Sequence, residues 1–100
     1  MDLRAAQKIV YKNKIDKGFN VTDVNKEFCL LYGEVAEAYE AWRKKKSDVG
    51  EELADIAIYL MGLSEILGID LATEIENKME INQDREYKMV DGVLKRISER

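Results

Sequence analysis

Residues 50–70 read GEELADIAIYLMGLSEILGID, a stretch dominated by helix-forming residues. Its apolar positions fall on every side of an α-helix; they are Leu53, Ala54, Ile56, Ala57, Ile58, Leu60, Met61, Leu63, Ile66 and Leu67. A helix that is apolar nearly all round must be enclosed by neighbours. A chain of 100 residues is too short to enclose it well, so we expect an all-α fold, a four-helix bundle completed by dimerisation.

Apolar periodicity and end signals predict three more helices around this one. The four predicted helices cover about residues 3–17, 23–45, 48–67 and from 70 to at least 87. Gly18 and Gly68 are expected stops, and the expected N-caps are Thr22 or Asp23, Asp48 in a capping box with Glu51, and Asp70. No linker or repeat divides the chain, so we predict a single domain over residues 1–100, in which about 89–100 form a short extra helix or a flexible tail.

The composition narrows the classes of function. The chain has no proline and six glycines. Its formal charge of -4 gives no general attraction to nucleic acids or to anionic membranes. Its one cysteine, Cys29, lies in an apolar helical stretch, which predicts a buried thiol in a reducing compartment. The N-terminus has no long apolar segment, so we expect a cytoplasmic protein that is neither secreted nor inserted into a membrane.

Two acid pairs are the candidate functional residues. Glu34 and Glu37 lie three positions apart in the second predicted helix, and Glu52 and Asp55 do so in the apolar third helix. Residues so spaced share one helix face, and the short connection makes the two helices antiparallel, so that the pairs differ by about one turn in level. One such pair is typical of a solvated surface, but two at similar depth, one of them in an apolar run, favour a metal site.

The ligand types indicate which cation is expected. The chain has no histidine, and a site made only of carboxylate oxygens suits Mg²⁺, with Mn²⁺ as a substitute. Magnesium held in this way usually shares its coordination shell with substrate phosphates. Lys78, Asn82 and Arg85 recur on one face of the fourth helix, where they form either a phosphate-binding stripe or an ordinary exposed charged face.

Four segments, taken in order, resemble the MazG-like all-α nucleoside triphosphate pyrophosphohydrolases over roughly residues 14–88. They are EVAEAYEA at 34–41, EELADI at 51–56, GIDL at 68–71 and KMEINQDR at 78–85. The resemblance implies Mg²⁺-dependent hydrolysis of a nucleoside triphosphate between the α and β phosphorus atoms, giving a monophosphate and pyrophosphate. It also implies a homodimer or homotetramer.

The same resemblance implies roles for individual residues. Glu34, Glu37, Glu52 and Asp55 would bind the metal, and one of the glutamates would activate the attacking water. Lys78, Asn82 and Arg85 match a Lys-x-x-x-Asn-x-x-Arg segment that would contact phosphates. Candidates for the base pocket are Asn13, Phe19, Asn20 and Trp42.

Two other functions are compatible with the sequence. A phosphoribosyl-ATP pyrophosphohydrolase is similar in size, fold and acid spacing, although the segments at 68–71 and 78–85 look more like those of MazG-like enzymes. A non-catalytic helical dimerisation module would instead carry these acids as surface charges. Assays with both substrate types, and a magnesium titration, separate the three possibilities.

Overall fold

The computed structural model describes residues 1–100 and consists of four helices followed by a small hairpin. In chain order they are α1 Leu3–Asp16, α2 Val24–Arg43, α3 Val49–Ile66, α4 Leu71–Asp84, β1 Tyr87–Val90 and β2 Val93–Arg96. The fold is therefore mostly helical, as predicted, but it is not purely α-helical.

Most of the predicted helix ends are confirmed. The Asp2, Asp23 and Asp70 side chains accept hydrogen bonds from the first free amides of α1, α2 and α4. Gly18 and Gly68 follow α1 and α3 with φ angles of 73° and 69°, the left-handed conformation that glycine adopts at low cost. Local chemistry is thus sufficient to account for these boundaries.

Two predicted ends are wrong. The capping box is absent, because the Asp48 side chain makes no cap hydrogen bond at the start of α3. Helix α4 ends at Asp84 and does not continue to Tyr87, because Arg85 is already extended with ψ at 134°. The chain leaves the helix there to enter the hairpin.

The predicted short helix or flexible tail at 89–100 is also wrong, since this segment contributes to an antiparallel hairpin. Tyr87 pairs with Arg96 and Val90 pairs with Val93 across the two strands. Asp91 and Gly92, between the strands, have φ angles of 52° and 77°. Two successive left-handed residues are the requirement of the tightest hairpin turn, for which Asp-Gly is a preferred sequence.

The helices pack in a chain of neighbours. Helix α3 lies between α2 and α1, whereas α4 turns away from α3 by 108° and packs against α1. The Gln7 side chain, which is only 4% exposed, fixes this corner: it donates to Glu65 Oε2 at 2.8 Å and to the Ile69 carbonyl at 2.7 Å, and it accepts from the Leu71 amide at 3.2 Å. One polar side chain of α1 therefore joins the end of α3 to the start of α4.

Much apolar surface is left uncovered by one chain. The buried hydrophobic residues are Ala38, Ala41, Met61, Leu63 and Ala72. Leu53 and Ile58 of α3 are 57% and 43% exposed, and Cys29, predicted to be buried, is exposed beside Phe28 of α2. No single helix is both long and apolar enough to cross a membrane; only the bent pair α3 and α4 meets that length and composition together.

The role of Gln7 gives a stability prediction. Gln7→Ala leaves the Glu65 carboxylate, the Ile69 carbonyl and the Leu71 amide without this partner, which we expect to cost about 3 kcal/mol. For a domain of this size the melting temperature should fall by more than about 10 °C. Calorimetry measures the change, with the exposed neighbour substitution Lys8→Ala as control. Equal melting temperatures for the two variants would show that Gln7 does not hold the corner.

Candidate functional site

The two acid pairs lie on the facing helices α2 and α3. These helices are joined by a tight turn in which Lys45 adopts a φ of 57°. Ala38 and Ala41 of α2 are 6% and 4% exposed. Small side chains let two helices approach closely, and the acids on the neighbouring turns then meet across the interface.

Three of the four predicted carboxylates come together. Glu34, Glu37 and Glu52 each offer an oxygen, and these oxygens lie within 4.8 Å of one another. Glu34 and Glu52 are partly buried, whereas Glu37 is exposed. One oxygen of Glu34 and one of Glu52 are buried without a hydrogen-bond partner. Buried acceptors are nearly always paired, so this group lacks a positive or hydrogen-donating partner.

The electrostatics of the group point the same way. Burial raises the pKa of Glu34, and the charges of Glu37, Asp55 and Glu52 raise it further. Burial also raises the pKa of Glu52, followed by the charges of Glu37 and Asp48. Like charges in a partly desolvated place disfavour ionisation, and a bound cation reverses that preference.

These residues fit a hard divalent cation. Carboxylate oxygens are the only ligands in the group, and Mg²⁺ and Mn²⁺ prefer oxygen donors. The cation would bind the unpartnered oxygens of Glu34 and Glu52 and would neutralise the repulsion between the carboxylates. Asp55, the fourth predicted ligand, is exposed and lies outside the three-residue group, although its charge acts on both Glu34 and Glu52.

Sequence reasoning missed Asp48 as a member of this environment. It was expected to cap α3, but its Oδ1 is instead buried without a partner, and its charge raises the pKa of Glu52. The available signal was its spacing of four residues from Glu52, which places both acids on one side of the first turns of α3.

The predicted phosphate-binding stripe is not next to the acids within one chain. Lys78 is exposed and forms no ion pair. Arg85 donates to Asn82 at 3.3 Å and to the Arg100 carbonyl at 2.8 Å. Helix α4 packs on α1 at the end of α3 that is far from Glu52, about 21 Å along the helix. The stripe therefore lies far from the acid group of its own chain.

The structure places the predicted base-pocket residues in different environments. Asn13 and Phe19 line a cavity of about 270 Å³ with Lys14 and Tyr59. Asn20 lines the adjoining cavity, but its side chain also binds the backbone of Asp23 at 2.9 and 3.0 Å and so shapes the loop before α2. The last candidate, Trp42, lines neither of these cavities.

Trp42 is 65% exposed near the C-terminal end of α2, with its ring centroid 6.2 Å from that of Tyr39. The Trp42 ring packs near that of Tyr39, one turn away on the same helix. Helix α1 and the loop that follows it do not enclose the ring. Its assignment to a base pocket stays a prediction.

A buried ion pair next to these cavities was not predicted. Lys14 of α1 pairs with Glu27 of α2, and their side chains are 10% and 2% exposed. The Lys14 ammonium also lies 5.5 Å from the centre of the Tyr59 ring. Gly62 of α3 leaves the space for this lysine, because a Cβ there would lie 3.1 Å from Lys14 Cδ. Lys14 and Glu27 are 13 residues apart in the sequence and lie on different helices, so no local pattern predicts their contact.

Tyr59 connects the two regions. Burial raises the pKa of its hydroxyl, and the charges of Glu34 and Glu27 raise it further. Tyr59 is thus close to both the acid group and the buried ion pair. Its phenol stays protonated at neutral pH and is available as a hydrogen-bond donor.

The comparisons with known proteins concern this same part of the chain. Residues 26–98 match the model of the MazG-like family, a segment that includes all four predicted acids. A dATP/dGTP diphosphohydrolase of Salmonella phage PMBT28 is 41% identical over 51 residues, which are 50% of this chain and 17% of that protein. The chain therefore matches less than a fifth of that relative's length. No solved structure matches the chain.

The raised pKa of Glu34 gives a pH prediction for metal-free protein. Because its pKa is above the ordinary 4.5 in the folded state, the wild type loses stability as the pH rises through the folded pKa. We expect Glu34→Gln to melt a few degrees above wild type in EDTA at about pH 7, and the gap to shrink towards about pH 5.

Magnesium should reverse this order, because it stabilises the wild type by mass action and the variant much less. Thermal melts in EDTA and in magnesium measure both effects. Glu80→Gln, an exposed acid of α4, is the matched control. If Glu34→Gln melts below wild type in EDTA and both respond alike to magnesium, the carboxylate is structural.

Proposed function

The chain belongs to the MazG-like family, and on that basis we propose that it hydrolyses a nucleoside triphosphate to a monophosphate and pyrophosphate. The observation that carries the proposal is the convergence of Glu34, Glu37 and Glu52, with two buried oxygens that lack partners. The name of the phage relative, a dATP/dGTP diphosphohydrolase, supports purine deoxynucleotides as the first substrates to test.

The acid group would hold a magnesium ion, with manganese as a substitute. Glu34, Glu37 and Glu52 would bind it, and Asp55, whose charge acts on Glu34 and Glu52, would be the fourth ligand. The ion would supply charge neutralisation for the phosphate oxygens and would favour ionisation of water at neutral pH. Magnesium bound by carboxylates usually also binds oxygens of substrate phosphates, which is consistent with a polyphosphate substrate.

The chain's own groups account for the remaining chemistry. A water oxygen bonds to the α-phosphorus, the bond from that phosphorus to the bridging oxygen breaks, and pyrophosphate leaves with the electron pair. A carboxylate of the acid group accepts the proton of the attacking water. No covalent intermediate is required, because positioning and charge stabilisation account for most of the catalysis in phosphoryl transfer.

The phosphate-binding stripe suggests that the active unit contains at least two copies. Lys78, Asn82 and Arg85 lie far from the acids of their own chain, and α3 exposes Leu53 and Ile58. We propose a homodimer, or a tetramer built from it, in which a second copy covers this apolar surface and brings its α4 to the acids. Burial of exposed apolar area would drive the association.

The activity has a direct test. With magnesium or manganese, the protein should release pyrophosphate and not orthophosphate from dATP or dGTP. Glu37→Gln should lower kcat/KM by at least about 100-fold, because a group that binds the metal or the proton is lost. Glu80→Gln should retain activity. Orthophosphate as the sole inorganic product would place the cut at another bond and contradict the proposal.

The proposed assembly is tested by mass and by mixing subunits. Light scattering at micromolar concentration should give at least twice the chain mass of 11.5 kDa. An inactive Glu37→Gln protein mixed with an inactive Arg85→Ala protein should regain activity, because one mixed site then has both intact parts. A mass of 11.5 kDa throughout, or a mixture without activity, would contradict the shared site.

A further inference from the structure

Two adjoining cavities between α1, α2 and α3 share Lys14, Phe19 and Tyr59. One, of about 270 Å³, has the apolar walls of Ile9, Val10 and Ile58. The other, of about 290 Å³, reaches Glu27. A planar ligand with a polar edge suits a space that is apolar on its sides and charged at one place.

The charged place is the buried pair of Lys14 and Glu27. Glu27 Oε1 accepts from the Lys14 ammonium, whereas Glu27 Oε2 is buried and has no hydrogen-bond partner. An ion pair that served only to join α1 to α2 would be expected to satisfy both oxygens, because a buried unpaired acceptor is costly. The second oxygen of Glu27 is therefore an acceptor that no group of the chain uses, on a residue that lines the second cavity.

We propose that this cavity receives the nucleobase and that Glu27 Oε2 accepts a hydrogen bond from an amino group on the base edge. Lys14 holds Glu27 in place and presents N–H donors to a neighbouring ring nitrogen. An amino donor beside a ring-nitrogen acceptor is the pattern of adenine and of cytosine. We infer adenine because the name of the phage relative includes dATP. The inference rests on the proposed function, since it names the base of the same nucleotide.

The position of Tyr59 relates the cavity to the acid group. Tyr59 lines both cavities and lies about two helical turns from Glu52 on α3, and Leu30, which lines the second cavity, lies about one turn from Glu34 on α2. A nucleotide with its base near Glu27 therefore has its sugar near Tyr59 and its phosphates towards Glu34. The order base, sugar, phosphate along the site follows from the positions of Leu30 and Tyr59 between the cavities and the acids.

Binding of two α,β-imido analogues, which are not cleaved at the proposed bond, tests the inference. One is the deoxyadenosine triphosphate analogue, and the other carries unsubstituted purine and so lacks only the 6-amino group. Calorimetry with magnesium should show at least about ten-fold weaker binding of the second, because a hydrogen bond to a buried charge is lost. Equal binding, or no binding of the adenine analogue, overturns the inference.

A double variant separates base recognition from folding. Lys14→Met with Glu27→Leu replaces the buried pair by apolar side chains of similar size, which is often tolerated. This variant should bind the two analogues with equal affinity. The control replaces the exposed pair of α1, Lys12→Met with Asp16→Leu, and should keep the ten-fold preference. A double variant that is folded but keeps the preference overturns the role of Glu27.

Binding and turnover fail separately in this design. Release of pyrophosphate without a preference between the two analogues contradicts only the assignment of Glu27. A preference between the analogues without pyrophosphate release from any triphosphate contradicts the proposed reaction and leaves the base site supported.

Discussion

Repulsion among the carboxylates that α2 and α3 hold together is the constraint around which the site is organised. The small residues Ala38 and Ala41 allow close packing of the helices, and this packing brings one oxygen each of Glu34, Glu37 and Glu52 within 4.8 Å of one another. The fold spends stability on keeping these charges together, as sites for charged ligands commonly do. A divalent cation that bound there would convert this cost into an attraction.

Polar contacts hold the other helices in place around that pair. Gln7 joins α1 to the corner between α3 and α4, and the Lys14–Glu27 pair joins α1 to α2 under Gly62. The buried apolar core is small, so these polar contacts contribute more to holding the helices in position than they would in a larger domain. The Lys14–Glu27 pair also lines the cavities that Tyr59 borders.

The sequence predicted what depends on local chemistry. The four helices, the caps at Asp23 and Asp70 and the convergence of three acids follow from spacing and capping rules. The direction of α4 and the pair of Lys14 with Glu27 depend on contacts between distant residues and could not be read locally. The hairpin did have a local signal, the Asp91-Gly92 turn. Its two strands, however, are only four residues long and contain charged residues, so that no alternation of apolar and polar residues indicated them.

Binding of a divalent cation by Glu34, Glu37 and Glu52 is tested most directly by manganese in amide NMR spectra of labelled protein. Paramagnetic broadening should be strongest at residues 33–38 and 51–56, magnesium should compete it away, and Glu34→Gln should weaken it. Broadening that is uniform along the chain, or strongest at the acids of α4, would contradict a metal site between α2 and α3.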